Sequence, residues 1–206
     1  MTPPTVVVFD LGGVLFDWDP RHLYRQLLPD EEAVEHFLAT VCTLEWNAKQ
    51  DLGRSVAEAV AELSALHPDK IELIQAYYDR WHDAIGGTID GSVELLERLH
   101  RDGVRLYGLS NWPADTFPAA RRRYPFLSHF RDIVVSGEVK LGKPDPRIFE
   151  LLFRRCDFRP EESVFIDDVM QNIEVARRLG MRGIHFQSPA ETERQLRHLR
   201  VLAQAG

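Results

Sequence analysis

Val6-Val7-Val8-Phe9-Asp10-Leu11-Gly12-Gly13-Val14-Leu15 is the stretch on which the reading of the whole chain turns. Four consecutive strand-favouring apolar residues run into an acid and then into two glycines. That is the pattern of a strand buried on both faces, ending in a turn with close backbone approach. Open α/β sheets bind their ligands just beyond the carboxyl ends of their strands, so Asp10 stands where a catalytic group would stand. Taken alone, the segment also allows a plainer reading, in which Asp10 only caps the following turn.

Outward from this strand the periodicity changes. Leu23, Leu27 and Leu28, then Val34, Phe37, Leu38 and Val41, then Val56, Val60, Leu63 and Leu66, and finally Ile71, Ile74, Tyr77, Tyr78 and Trp81 recur at helical spacing. Asp19-Pro20 and Pro29-Asp30 are helix starts, Gly53 and Ser55 restart a third helix, and His67-Pro68-Asp69 breaks the run again. No comparable strand is expected here, so residues 17–86 read as an all-helical insert. Gly86-Gly87 marks the return crossing, and residues 1–16 and 87–206 form the core.

In that core strands and helices alternate: helix 92–102, strand Val104–Leu109, helix 114–123, strand Ile133–Val135, helix 146–155, strand Val164–Ile166, helix 171–179 and strand Gly183–Phe186. Asp102-Gly103 and Leu179-Gly180 supply helix stops. Such alternation predicts an α/β fold, a Rossmann-like parallel sheet with helices on both faces, interrupted by the helical insert. The last residues, 203–206, are expected to fray.

Composition narrows the function classes. With 44% hydrophobic residues, and no apolar run long enough for a bilayer, the chain is expected to be soluble, with no membrane partner. A formal charge of −7 argues against nucleic acid, and the lone basic cluster, Arg121-Arg122-Arg123, reads as a helix end whose cations complement the dipole. The N-terminus carries no signal or transit pattern. Cys42 and Cys156, far apart and among apolar neighbours, are expected as buried reduced thiols, which places the protein in the cytoplasm, as a monomer or homodimer.

Polar groups collect at the ends of the predicted strands. Strand 104–109 runs into Ser110-Asn111, a loop carries Lys143-Pro144, and strand 164–166 runs into Asp167-Asp168. Adjacent carboxylates repel and lose hydration together, a cost usually met by a cation, and an all-oxygen set suits Mg²⁺.

Asp10-Leu11-Gly12-Gly13-Val14, Ser110-Asn111, Lys143-Pro144 and Asp167-Asp168-Val169-Met170-Gln171-Asn172 resemble, in order and context, the four motifs of the haloacid dehalogenase superfamily. The insert after the first motif looks like the helical cap of its subfamily I. Within that group the chain is similar to α-D-glucose-1-phosphate phosphatases and to the phosphatase domain of soluble epoxide hydrolases. The resemblance implies that Asp10 is the nucleophile and forms an aspartyl-phosphate, with Mg²⁺ held by Asp10, Asp168 and the Gly12 carbonyl. It further implies that Ser110 and Asn111 bind phosphoryl oxygens, that Lys143 supplies fixed positive charge, that Asp167 orients Lys143 or a metal-bound water and that Asn172 braces the loop. The substrate implied is a small phosphorylated metabolite, such as glucose 1-phosphate.

One position departs from that pattern. Most phosphatases of the superfamily carry an acid two residues after the nucleophile, and here that residue is Gly12. A missing general acid or base costs ~10²- to 10⁴-fold in rate, so a good leaving group or a slow enzyme is expected. Asp17 and Asp19 are the sequence's substitutes, although a hinge hydrogen bond and a helix cap are their ordinary roles. Trp46, Arg54, Trp81 and His82 are candidates for the substrate wall of the insert. Tryptophans in a helical bundle read more readily as core than as ligand wall, and Arg54 and His82 as solvated. Trp112, directly after Asn111, is placed to stack on a sugar ring. Two other functions compete: a metal-independent 2-haloacid dehalogenase, which the paired acids at 167–168 oppose, and a catalytically silent binding protein of the same fold.

Overall fold

The computed structural model describes residues 3–202; residues 203–206, expected to fray, lie outside them. Val6–Phe9 is strand β1, every side chain of it buried. Beyond it the chain turns sharply, with the main-chain N–H groups of Leu15 and Phe16 both donating to the Leu11 carbonyl. It then enters β2 (Phe16–Trp18).

Five helices follow: α1 (Pro20–Tyr24), α2 (Glu31–Thr40), α3 (Leu44–Asp51), α4 (Val56–Leu66) and α5 (Ile71–Asp79). The starts of α1, α2 and α4 are those expected from the sequence, whereas α3, which follows Thr43, is a helix the sequence reading does not contain. The side chains of Asp19, Asp30, Thr43 and Ser55 accept from main-chain N–H groups of the first turns of α1 to α4, and Ser55 with Glu58 closes a capping box. Pro68 opens a short 3₁₀ turn between α4 and α5. The chain returns along β3 (Ile85–Thr88), antiparallel to β2.

That two-stranded ribbon corrects the reading of residues 17–86 as free of strands and of Gly86-Gly87 as a bare crossing. Strands of three and four residues are too short to display an alternating pattern, and one of them is half glycine. A Cβ at Gly86 would stand 2.6 Å from both Asp17 Oδ2 and His22 Nε2, so glycine there lets the Asp17–His22 pair lie across the ribbon.

The remaining elements are α6 (Asp90–Arg101), β4 (Arg105–Ser110), α7 (Phe117–Arg123), β5 (Asp132–Val135), α8 (Ser136–Val139), α9 (Pro146–Cys156), β6 (Ser163–Asp167), α10 (Met170–Arg178), β7 (Arg182–His185) and α11 (Pro189–His198). Helix α7 begins at Phe117 rather than near residue 114, because Pro118 is tolerated only in a first turn. The one-turn α8 is too short to carry a periodic signal in the sequence.

Five strands form one parallel sheet in the order β5-β4-β1-β6-β7. Side-chain alternation sends each face of the sheet to its own helices. Val7, Phe9, Leu106, Val164 and Ile166 join a cluster with Leu95, Leu96 and Leu99 of α6 and Leu196 of α11. Val6, Val8, Tyr107, Leu109 and Phe165 pack with Ile148, Phe149 and Leu152 of α9 and Ile173 of α10. The first cluster continues into the helical segment through Tyr24, Phe37, Trp46 and Tyr77. Cys42 and Cys156 are buried and unpaired. No helix among the described residues is long and apolar enough to cross a membrane.

Chain order runs outward from β1 through β4 to β5, then starts again on its other side with β6 and β7. The direction reverses between β1 and β6, the point at whose carboxyl side open α/β sheets bind their ligands.

Candidate active site

Pairing of β1 with β6 sets the depth of the site. The register aligns Phe9 with Ile166, and the Asp10 N–H donates to the Ile166 carbonyl at 2.9 Å, so Asp10 and Asp167 emerge side by side. Ser110 closes β4 on the opposite flank of β1 and is 1% exposed. Lys143 arrives from the loop before α9 and is buried between the two acids. Its Nζ lies 2.8 Å from Asp10 Oδ2 and 2.7 Å from Asp167 Oδ2.

Asp167 is fully occupied: Asn172 Nδ2 donates to both of its oxygens at 3.0 Å, and the Val169 N–H donates to Oδ1 at 2.8 Å. Asp10 is not, since its remaining oxygen accepts only from the Leu11 N–H, at 2.7 Å. Asp168, the next residue, is exposed, and His185 Nε2 donates to its main-chain carbonyl at 2.9 Å. One oxygen from each of Asp10, Asp167 and Asp168 lies within 4.8 Å of the others.

Two carboxylates therefore share one ammonium, and a third lies beside them. Burial, opposed by Lys143 and reinforced by Asp167 and Asp168, pushes the Asp10 carboxyl up to about 8. Burial likewise raises Asp168, with Asp167 adding to it. Burial opposes the charge on Lys143, yet the carboxylates of Asp10 and Asp167 outweigh it and hold the amine above the usual lysine value. The amine therefore stays charged, and the acids remain short of positive charge. A hard divalent cation on Asp10 and Asp168 fits this deficit and this all-oxygen set.

Gly13 belongs to the same fit. It sits at φ +69°, and a Cβ there would stand 2.3 Å from Asp168 Oδ2. Gly13→Ala is expected to strain the backbone by about 1–2 kcal/mol and to push Asp168 out of the cluster. Cation affinity, measured by titration calorimetry, should fall by at least tenfold; unchanged affinity would detach Asp168 from the ion. Gly12 differs: nothing lies within 4 Å of the point where a Cβ would stand, so its lack of a side chain is not a steric necessity.

The other expected residues are placed as follows. Asn111 clamps the Lys143 loop, its Nδ2 donating to the Lys143 carbonyl at 2.9 Å and its Oδ1 accepting from the Lys143 N–H at 2.8 Å. Trp112 is buried among Phe16, Trp81 and Phe117, and its indole N–H donates to Thr116 Oγ1 at 2.9 Å. Trp46 and Trp81 belong to the aromatic core with Tyr77 and Tyr78. His82 is solvated, but Arg54 corrects its expectation: only 19% of its side chain is exposed, and it binds Gln50 Oε1 and Glu62 Oε2. Asp17 pairs with His22, and Asp19 caps α1 and contacts Arg21.

Beside the strand ends lies a cavity of about 230 Å³, with Gly12 and Asn111 from the core and Asn47 and Asp51 from α3 on its surface. Trp18, Leu44, Trp81 and Trp112 complete its walls. Wider clefts of about 440 and 700 Å³ open elsewhere; the smaller cavity reaches the site through Gly12 and Asn111, and Asp10, Lys143, Asp167 and Asp168 line none of the three. The sequence reading passes over Asn47 and Asp51. Their signal is a helix whose polarity is inverted, for α3 buries Asn47 and Gln50 while Leu44 is 65% exposed.

Comparison with known proteins bears on this geometry. A family model described as haloacid dehalogenase-like hydrolase matches residues 4–180. The sesquiterpene phosphatase astK of Aspergillus oryzae is 26% identical over 93% of this chain and 94% of its own length. A phosphorylated carbohydrates phosphatase of Thermotoga maritima is 22% identical over 87% and 83%. Among solved structures, the HAD family enzyme bt-2542 of Bacteroides thetaiotaomicron, in complex with magnesium and inorganic phosphate, superposes with a TM-score of 0.70 at 22% identity, covering 90% of this chain and 95% of that one.

Proposed function

The chain belongs to the haloacid dehalogenase-like hydrolases, and from that premise we propose that it is a Mg²⁺-dependent phosphatase of small phosphorylated metabolites. The observation that carries this reading is the Asp10–Lys143–Asp167 chain of contacts, with Asp168 completing a cluster of acidic oxygens. Asp10 attacks phosphorus, its Oδ–P bond forming as the ester oxygen departs, and water then hydrolyses the phosphorylated side chain. Asp10, Asp168 and the Gly12 carbonyl would hold Mg²⁺, which when bound neutralises phosphoryl charge and favours the ionised Asp10. Lys143, kept cationic by its two carboxylates, adds fixed charge, while Asp167, saturated by Asn172 and the Val169 N–H, fixes the direction of the ammonium. Ser110 contributes a hydroxyl to the phosphoryl oxygens, and Asn111 contributes its amide and the shape of the Lys143 loop. Residues 17–86 act as a cap over this edge.

A sugar phosphate such as glucose 1-phosphate suits a cavity with indole walls, where a ring face can stack. A second reading has its own support: Trp18, Leu44, Trp81 and Trp112 also suit the phosphate monoester of an apolar alcohol, and the Aspergillus oryzae relative is a sesquiterpene phosphatase. Assay of hexose 1-phosphates beside an isoprenyl monophosphate separates the two. Hydrolysis of p-nitrophenyl phosphate with Mg²⁺ is expected to fall to background in EDTA and to return with added Mg²⁺. Activity on a 2-haloacid that survives EDTA would instead establish the dehalogenase. Absence of all turnover would leave the silent binding protein.

A further inference from the structure

We infer that Asp51, presented by α3, is the general acid–base of this site, serving the leaving oxygen that Gly12 leaves without a carboxylate. The inference rests on the phosphatase reading and adds a residue to it. Displacement of an alkoxide by Asp10 needs a proton donor on the side away from Lys143, and hydrolysis of the phosphorylated Asp10 needs a base for water. The acids of the strand ends do not meet this need. Asp10 is the nucleophile, Asp167 is held by Lys143 and Asn172, and Asp168 belongs to the cation cluster. Asp17 and Asp19, the substitutes suggested by the sequence, are engaged with His22 and with the start of α1.

Asp51 lines the same cavity as Gly12, across from the core. Its Oδ1 is shut off from solvent without a hydrogen-bond partner, and its Oδ2 receives only a long 3.3 Å contact from Asn47 Nδ2. Asp51 shares this condition with the indole N–H groups of Trp18 and Trp81 on the same cavity wall, so three residues lining one cavity hold buried polar atoms that a ligand there would partner. Burial pushes this carboxyl up to about 7, where donor and acceptor forms coexist near neutral pH. The ionisable groups nearest it are the phenols of Tyr77 and Tyr78 on α5; α4, which also packs against α3, carries Glu58 and Glu62, the latter paired with Arg54 just beyond α3. On the core side stand Glu138 on α8, which packs against α3, and Lys140, whose side chain lies against Gly53. In the first step the Asp51 proton passes to the ester oxygen as its bond to phosphorus breaks and the Asp10–phosphorus bond forms. In the second, Asp51 takes a proton from water as the water oxygen bonds phosphorus and Asp10 is released, restoring both acids and freeing phosphate.

The test compares wild type and Asp51→Asn, with Mg²⁺, on two substrates: phenethyl phosphate, whose alkoxide needs a proton, and p-nitrophenyl phosphate, whose phenolate does not. The variant is expected to lose ~10²- to 10⁴-fold in kcat/KM on the alkyl ester and less than about tenfold on the aryl ester. The aryl ester should also give a burst of about one equivalent of nitrophenolate before a slow steady state, because the second step lacks its base. Wild-type kcat/KM on the alkyl ester should decline above pH of about 7, and the variant should lose that limb. Equal loss on both esters, no loss on either, or a change confined to KM would overturn the role of Asp51 while leaving the phosphatase standing. Wild type inactive on both esters would remove the phosphatase reading itself. Should the variant not fold, the wild-type profile decides, since an alkyl-ester rate flat through neutrality overturns the inference.

Discussion

Asp10→Asn is expected to abolish turnover, by at least on the order of 10⁴-fold in kcat, because no neighbouring side chain can supply the attacking atom. Asp167 has every oxygen engaged and Asp168 stands outside Lys143's reach, so neither inherits the role. The same substitution should not harm the fold. It removes one of the two acids in contact with a single amine, Asp167 keeps that amine paired, and asparagine can still accept from the Leu11 N–H that now binds Asp10. In metal-free protein the variant should therefore melt no lower than wild type. Loss of activity without loss of Tm is the expected signature. Residual turnover within tenfold of wild type would dismiss Asp10 as nucleophile.

Lys143→Met should combine inactivity with the largest stability loss of any single change at this site. The Lys143 side chain is 1% exposed and touches Asp10 and Asp167, whose side chains are 10% and 0% exposed. Removing one partner of a buried ion pair leaves charge without compensation, a cost of about 3–5 kcal/mol. For a chain of this size that corresponds to a fall in Tm of roughly 6–20 °C. Asn172 and the Val169 N–H still hold Asp167, and Asp10 can take up a proton, which keeps the loss towards the lower end. Chemical denaturation of metal-free protein measures it. Arginine is not expected to rescue, because its fork is larger than the closed space that takes one ammonium. Stability equal to wild type would show that the acids are neutralised by other means.

Some of the site could be read before any coordinates. Asp10, Ser110 and Asp167 each terminate a strand whose apolar run is plain in the sequence, and parallel pairing carries strand ends to one edge whatever else the chain does. Lys143 was legible as an unusual residue, but its burial between two acids was not, because a loop reveals nothing of what it packs against. Asn111 reads in the sequence as a ligand for phosphate, and the structure shows it clamping that loop. Trp112 looked like an open indole and is packed on Phe16 and Phe117. Arg54 looked solvated and is drawn inward by Gln50, which the inverted face of α3 buries.

The sequence by itself determined the succession of the five strands of the parallel sheet, the helix starts at Asp19, Asp30 and Ser55, and the identity of the residues at the strand ends. All of these are local: propensity, capping and periodicity act over a few residues and need no knowledge of the rest of the chain. Only the tertiary structure decided which acid of the helical segment shares a cavity with Gly12 and Asn111. Helical periodicity says which residues share a face, but what that face looks upon depends on how the segment lies across the sheet, through contacts between residues far apart in the chain. For that reason the nearby acids, Asp17 and Asp19, were the natural choice from sequence, and Asp51 became visible only when α3 was seen against Gly12.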